Sequence, residues 1–282
     1  MPRAWGAVFA RNRGLYPSRG FDYDDVEMIT FSLNSGSNGN CIYVETQGVK
    51  LLLDAGISGK RTAERLAAHG RDVRDVDAVI VSHDHADHIR CAGILHRRFG
   101  LPIYMTEAAF AGARRYGLGP IADRRHFKAG SDLTFGPVTV RTVATPHAAA
   151  DPVAFVISDG RRRLGILTDL GHVFAGLAEL MGRLDGVYLE SNYDPEMLAT
   201  GPYPAYLKRR IAGPAGHASN VEAAELVASA AGVRLQWVAL AHLSEANNKP
   251  ELAMETHRRI AGRRRPIHVA GRYGAGELLR IE

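Results

Sequence analysis

Cysteine is nearly absent. Cys41 and Cys91 are the only two among 282 residues, and neither belongs to a Cys-x-x-Cys pair. That excludes a disulfide scaffold and favours a reducing, cytoplasmic compartment. Long apolar runs are missing too: nothing approaches the roughly 20 residues needed to span a bilayer, so no membrane partner is expected. Residues 1–27 carry basic groups without a continuous apolar segment and do not read as a secretory signal. A strong charge imbalance is also lacking. The formal charge of +5 is weak support for a polyanionic partner.

What is present is an ordinary soluble composition, 46% hydrophobic and 23% charged, enough to bury a core without cross-links. The gly-, pro- and arg-containing stretch 1–27 reads as a poorly ordered extension, and Met28 stands just before the first convincing strand. A folded domain over 28–282 is expected, with Met28 a candidate for the true initiator in place of Met1. Arginine recurs in clusters, among them Arg161-Arg162-Arg163, Lys208-Arg209-Arg210 and Arg263-Arg264-Arg265. A solvated surface and a polyanion contact explain such runs equally well.

From residue 29 onward, short β-type runs alternate with helical stretches. Strands are expected at 29–33, 41–45, 49–53, 78–81, 101–105, 138–143, 153–158, 164–167, 186–189, 237–240 and 267–269. Helices are expected at 61–69, 86–99, 107–116, 172–183, 195–211, 220–231 and 249–261. Two β-rich halves with helices interspersed point to two face-to-face sheets with helices outside.

The strongest local signal is Ser82-His83-Asp84-His85-Ala86-Asp87-His88, directly after an apolar strand. A chance His-x-His-x-Asp-His is expected in on the order of one chain in a thousand of this composition. His83 and His85 can face one metal from the strand end, while Asp87 and His88 turn toward a second. Imidazole with carboxylate suits Zn²⁺ and its first-row neighbours. Thr145-Pro146-His147, Leu167-Thr168-Asp169 and Leu240-Ala241-His242 each place a further ligand type at a strand end. Singly these are weak, but together with the first cluster they describe a site along one sheet edge.

These residues resemble the five metal motifs of the metallo-β-lactamase superfamily, over roughly Met28 to the C-terminus. The resemblance implies an α/β, αββα four-layer sandwich and two divalent ions, with Zn²⁺ expected first and Mn²⁺ or Fe²⁺ compatible. It implies His83, His85 and His147 on one ion, Asp87, His88 and His242 on the other, and Asp169 bridging with a hydroxide nucleophile. Asp54, in Leu51-Leu52-Leu53-Asp54-Ala55-Gly56, is similar to the superfamily's first motif, where it would orient the ligand loop. A turn or helix-cap aspartate is an equal explanation. His85 stands where the flavodiiron relatives carry glutamate, which argues for hydrolysis. Asp169 matches the phosphodiesterases and glyoxalase-like thioesterases, whereas true β-lactamases lack it.

His217, in Ala215-Gly216-His217-Ala218-Ser219-Asn220, resembles a histidine that contacts phosphate or protonates the leaving group in the tRNA-processing and cyclic-phosphodiesterase relatives. It is therefore a candidate general acid beside the catalytic-site Asp87; a residue near a helix N-cap is the plainer reading. Ser37, Asn40, Lys208, Arg209, Arg210, Ser219 and Asn220 are candidate substrate contacts, although a tight turn also explains the Ser-Gly-rich loop 35–40. That loop, Asp54–Lys60, the His217 segment and the run 242–253 are similar to the bacterial YycJ/WalJ-type hydrolases, regarded as DNA exonucleases acting from 5′ ends. Asp84 departs from that group, where glutamate is commoner, and so does the N-terminal extension. The expectation is a metal-dependent 5′-to-3′ DNA exonuclease. A thioesterase or lactonase using the same metals and a non-catalytic nucleic-acid-binding protein are the alternatives.

Overall fold

The computed structural model describes residues 27–282. Of the expected extension 1–27, only Glu27 falls within them, its carboxylate 2.7 Å from Arg280. The first sheet contains β1 (Met28–Asn34), β2 (Cys41–Thr46), β3 (Val49–Leu53), β4 (Ala78–Ile80), β5 (Ile103–Thr106) and β6 (Arg124–Phe127). The second contains β7 (Asp132–Phe135), β8 (Val138–Ala144), β9 (Val153–Ser158), β10 (Arg163–Leu167), β11 (Gly186–Glu190), β12 (Trp237–Ala241) and β13 (Ile267–Val269). The last strand, β14 (Leu279–Ile281), returns to pair antiparallel with β1, so the C-terminus closes the sheet that the first strand opens.

Each sheet is mixed. β1 to β3 form an antiparallel meander, and β3 to β6 run parallel. β7 to β10 are antiparallel, and β10 to β13 parallel. Parallel neighbours need crossovers, which helices supply. α1 (Gly59–Ala67), α2 (Ala86–Ile89), α3 (Ala92–Phe99) and α4 (Glu107–Ala113) belong to the first half. The second half holds α5 (Leu177–Met181), α6 (Pro195–Thr200), α7 (Ala205–Ile211), α8 (Asn220–Ala230) and α9 (Pro250–Ile260).

Side-chain alternation explains why both sheet faces are buried. Along β2, Ile42 and Val44 enter the core between the sheets with Phe155, Ile166 and Tyr188. Cys41 and Tyr43 point the other way, into a core shared with Leu66, Ile89 and Leu95 of α1 to α3. A third core joins Leu167, Leu189 and Leu240 to Leu177, Leu226 and Ala253 of α5, α8 and α9. Three apolar layers therefore separate four structural layers, helix, sheet, sheet and helix, as expected from the sequence. Among the described residues no helix is long and apolar enough to cross a membrane.

Several elements differ from expectation. Helix 86–99 breaks at Arg90-Cys91, where the Cys91 N–H donates to Ala55 O at 2.9 Å rather than continuing the helix. Helix 195–211 becomes α6 and α7, divided by Gly201-Pro202-Tyr203-Pro204, since proline cannot continue the hydrogen-bond ladder. Helix 172–183 shrinks to α5, and 107–116 ends as a 3₁₀ turn over Arg114–Tyr116. Strands β6, β7 and β14 are additional, the first two being polar sheet edges.

Candidate metal centre

The C-terminal ends of the parallel strands meet along one edge of the sandwich. Asp54 follows β3, the Ser82–His88 loop follows β4, and Asp169, Glu190 and His242 lie at or just beyond the ends of β10, β11 and β12. Asp54, Asp169 and His242 take left-handed backbone angles, φ 67°, 54° and 54°. Such conformations cost of order 1–3 kcal/mol each in non-glycine residues and persist where surroundings impose them. Close approach has the same origin at Gly56, where an added Cβ would lie 1.7 Å from Asp87 O. Only glycine lets the loop after β3 support the ligand loop there.

All seven expected ligands converge. His83, His85 and His147 form one group, and Asp87, His88 and His242 a second, with ligand-type atoms in each within 4.8 Å of one another. Asp169 joins His83 and His88 in a third such group, and Glu190, His217 and His242 in a fourth. Its position between the groups suits a bridging carboxylate.

Hydrogen bonds orient the rings. His88 Nδ1 donates to Asp54 Oδ2 at 2.7 Å, His147 Nδ1 to Gly216 O at 2.8 Å, and His85 Nε2 to Ala148 O at 3.2 Å. His242 Nδ1 donates to Glu190 Oε1 at 3.1 Å. A proton on one ring nitrogen leaves a lone pair on the other. The lone pairs of His147 Nε2 and His85 Nδ1 then face each other at 3.3 Å. Two acceptors in that arrangement repel unless a cation lies between them.

Two buried atoms sharpen the point. Neither His83 Nε2 nor Asp169 Oδ2 makes a hydrogen bond, although His88 Nε2 approaches Asp169 Oδ2 to 3.2 Å. Each orphan costs about 1–3 kcal/mol, while a fully coordinated zinc site contributes about 10–16 kcal/mol. Metal binding outweighs the orphans and the backbone strain together, and the donor set fits first-row divalent ions.

Charge favours the same reading. Burial, with neighbouring histidines, holds His83 well below the ordinary histidine range, and lowers His85 and His147 too. These three are neutral imidazoles, the form that binds metal. Burial opposes ionisation of Asp169, but His242, His88, His83 and His147 outweigh it and hold the carboxyl well below its ordinary value. Asp87 is likewise lowered, chiefly by His88 and His242 against burial. Two rings go the other way: against burial, Asp169, Asp54 and Asp87 raise His88, and Asp169, Asp87 and Glu190 push His242 up to about 10, so a metal ion would displace a proton from each.

Glu190 is the functional residue that the sequence reading passed over. Fully buried, it accepts from His217 Nδ1 at 2.8 Å, from His242 Nδ1, and from the backbone N–H groups of Leu170 and Ala218 at 3.0 and 3.1 Å. Burial raises its carboxyl, but His217 and His242 bring it down to about 2. A carboxylate at the end of an apolar strand was the available signal. The His217 ring lies 5.0 Å from that of His147 and 5.2 Å from that of His242, so it reaches the centre itself.

The other candidates separate. Asp54 accepts from Ser82 N and His88 Nδ1, both at 2.7 Å, and so positions the ligand loop. Asn40 donates to His88 Nε2 at 2.9 Å and to Asp87 Oδ2 at 3.2 Å, which puts it inside the centre. Ser37 is exposed at the tip of its loop, while Ser35 is buried and accepts from the His242 N–H. Arg209 and Arg210 are exposed on α7, and Lys208 Nζ donates to Ala199 O. Ser219 caps α8 in a capping box with Glu222. Asn220 has no exposed surface and bonds Ser191 and Asn248. Those last two side chains are engaged in hydrogen bonds that hold the fold.

Residues 35–195 match the metallo-beta-lactamase superfamily. The chain belongs to that superfamily. Within it, the chain is 36% identical over 227 residues to exodeoxyribonuclease WalJ of Streptococcus pneumoniae, spanning 79% of this chain and 84% of that protein. It is 37% identical over 223 residues to exodeoxyribonuclease YycJ of Bacillus anthracis, spanning 78% and 84%. The protein is a metallo-hydrolase of this YycJ type. Among solved structures, the metallo-beta-lactamase fold protein YhfI of Bacillus subtilis superposes with a TM-score of 0.69 at 19% identity, over 90% of this chain and 99% of that one. The short form of human tRNase Z gives 0.64 at 14%, over 90% and 100%. At such identities the likeness establishes the superfamily fold.

Proposed function

We propose that the protein hydrolyses phosphodiester bonds of nucleic acid in the cytoplasm, with DNA digested from its 5′ end as the leading reaction. The observation that carries this reading is His217, held by buried Glu190 between His147 and His242. A departing sugar alkoxide needs a proton, and a thiolate leaving from a thioester does not. A histidine fixed in this way would serve the first reaction and be superfluous for the second. The relatives named exodeoxyribonuclease, from Streptococcus pneumoniae and Bacillus anthracis, support nucleic acid as the substrate class.

Two divalent ions, Zn²⁺ or else Mn²⁺ or Fe²⁺, would be held by His83, His85 and His147 and by Asp87, His88 and His242, with Asp169 between them; when bound, they supply an activated water and neutralise phosphate charge. The protein's part is positional. Glu190 accepts the hydrogen bond from His217 Nδ1–H, so Nε2–H is the group free to pass a proton to the leaving oxygen. Asp54 and Asn40 hold His88 and Asp87 in place. Ser37, Arg209 and Arg210, all exposed, are the side chains proposed to contact a polyanionic strand.

A leaving-group series tests the role of His217. His217→Ala should lower kcat on a DNA strand by roughly 10²–10⁴-fold, and far less on a nitrophenyl phosphodiester, whose leaving group needs no proton. Equal losses on both substrates contradict the general-acid role. Rapid hydrolysis of small thioesters or lactones, with DNA and RNA left intact, would favour the small-molecule alternative. Tight strand binding without any hydrolysis would favour the non-catalytic one.

A further inference from the structure

An open cleft of about 470 Å³ borders the metal centre, with His85 and the alanine run 148–150 in its lining and Arg115 and Arg210 supplying its positive charge. The two arginines come from distant parts of the chain, one just after α4 and the other in the last turn of α7.

Arg115 is set in place before any ligand arrives. Its Nη2 donates to Asp84 Oδ2 at 2.9 Å, and its guanidinium carbon lies 4.9 Å from the centre of the Tyr116 ring. Just over half of its side chain remains exposed, at 54%. Asp84 is buried and also accepts from the Ala150 N–H at 2.9 Å, tying Arg115 to the loop that carries His147. Gly112 makes room for this carboxylate, since a Cβ there would fall 2.2 Å from Asp84 Oδ2. Arg210 is different: among the described residues its exposed side chain has no hydrogen bond or ion pair. One anchored and one unpaired guanidinium, both facing a cleft that opens at a ligand histidine, form a receptor for an anion.

The rest of the lining bears on what is read. Apart from His85, which is turned to the metal centre, it consists of the Asp84 carboxylate already held by Arg115 and of three alanines, with no phenyl, phenol or indole ring on which a base would stack and no amide side chain to bond a base edge. We infer that Arg115 and Arg210 together hold the strand phosphate next to the one being cleaved, so that grip follows the sugar–phosphate backbone and ignores base identity. This inference rests on the phosphodiester reading above.

The test compares the metal-reconstituted protein on single strands and on bis(p-nitrophenyl) phosphate, a diester with no neighbouring phosphate. Arg210→Gln should raise KM for the strand roughly tenfold, a larger change than for the small diester. Arg115→Lys keeps a cation beside Asp84 while removing the planar fork, and should act in the same direction. Binding of a phosphorothioate strand, read by anisotropy, should show a slope of log Kd against log salt smaller by about 0.7 for Arg210→Gln. Four homopolymer strands should bind the wild type within about threefold of each other if only phosphates are held. Arg74→Gln, an exposed site at the opposite end of β4, controls for plain loss of charge.

If strands are cleaved but both cleft variants match Arg74→Gln in KM and salt slope, the clamp is wrong and the nuclease reading stands. A strong base preference also overturns it. If the wild type neither binds nor cleaves strands, the nuclease reading falls and takes the clamp with it.

Discussion

Glu190 Oε1 lies 2.8 Å from His217 Nδ1 and 3.1 Å from His242 Nδ1, so one buried carboxylate orients both the proposed acid and a proposed metal ligand. Its second oxygen is occupied by the N–H groups of Leu170 and Ala218. Glu190→Gln preserves volume but replaces an acceptor with a donor on one side. The expected outcome is a roughly 10–100-fold loss in kcat together with weaker metal retention. Steady-state rates and metal content per chain check it, and full activity with full metal loading would show that Glu190 only fills space.

Asp54 makes a narrower prediction. Its two short hydrogen bonds, to Ser82 N and His88 Nδ1, fix the ligand loop without reaching the metal groups themselves. Asp54→Asn should weaken metal affinity roughly 10–100-fold, measured by chelator competition. An unchanged affinity would assign Asp54 to the turn after β3 alone.

Metal removal should destabilise the fold. His83 Nε2 and Asp169 Oδ2 lack hydrogen bonds, and His85 and His147 turn lone pairs on each other. Each metal at a thousandfold excess over its Kd contributes roughly 4 kcal/mol. Chelation should therefore lower Tm by more than about 10 °C, reversed by adding Zn²⁺ or Mn²⁺. Identical melting curves with and without chelator would contradict this.

How much of this was legible from residues alone follows from where each signal sits. The ligand loop was readable because three histidines and two aspartates crowd the six positions 83–88 after an apolar strand, a pattern with almost no structural use. Asp169, His147 and His242 became readable only through that cluster. Glu190 stayed hidden because one acid after Tyr188-Leu189 looks like an ordinary strand end, and only the fold brings Leu170, His217, Ala218 and His242 to its carboxylate. Ser219 and Asn220 read two ways for a related reason: small polar residues beside a histidine suit a phosphate and equally suit a helix cap, and in the fold Ser219 is the cap. The sandwich followed from alternating apolar runs, whereas β6 escaped because Arg124-Arg125-His126 at a sheet edge carries no such alternation.

A pH prediction comes from a histidine outside the centre. His257 is buried, its Nδ1 makes no hydrogen bond, and its Nε2 lies 3.3 Å from Ser191 Oγ. Burial lowers it from the ordinary 6.5 to about 4. The unfolded chain therefore binds this proton more readily than the folded one. The stabilising contribution is complete above about pH 6.5, shrinks as pH falls toward 4, and is constant below that. Denaturant midpoints of wild type and His257→Asn, compared across this range, should diverge by roughly 3 kcal/mol in all. Parallel curves would show that His257 titrates normally.

The most direct measurement digests 5′-labelled and 3′-labelled DNA and RNA with the metal-reconstituted protein, beside an Asp169→Ala control. The account predicts nucleotide release from DNA by the wild type alone, beginning at the 5′ label and abolished by chelator. DNA left intact by the fully metal-loaded wild type, or cut equally by Asp169→Ala, would contradict it.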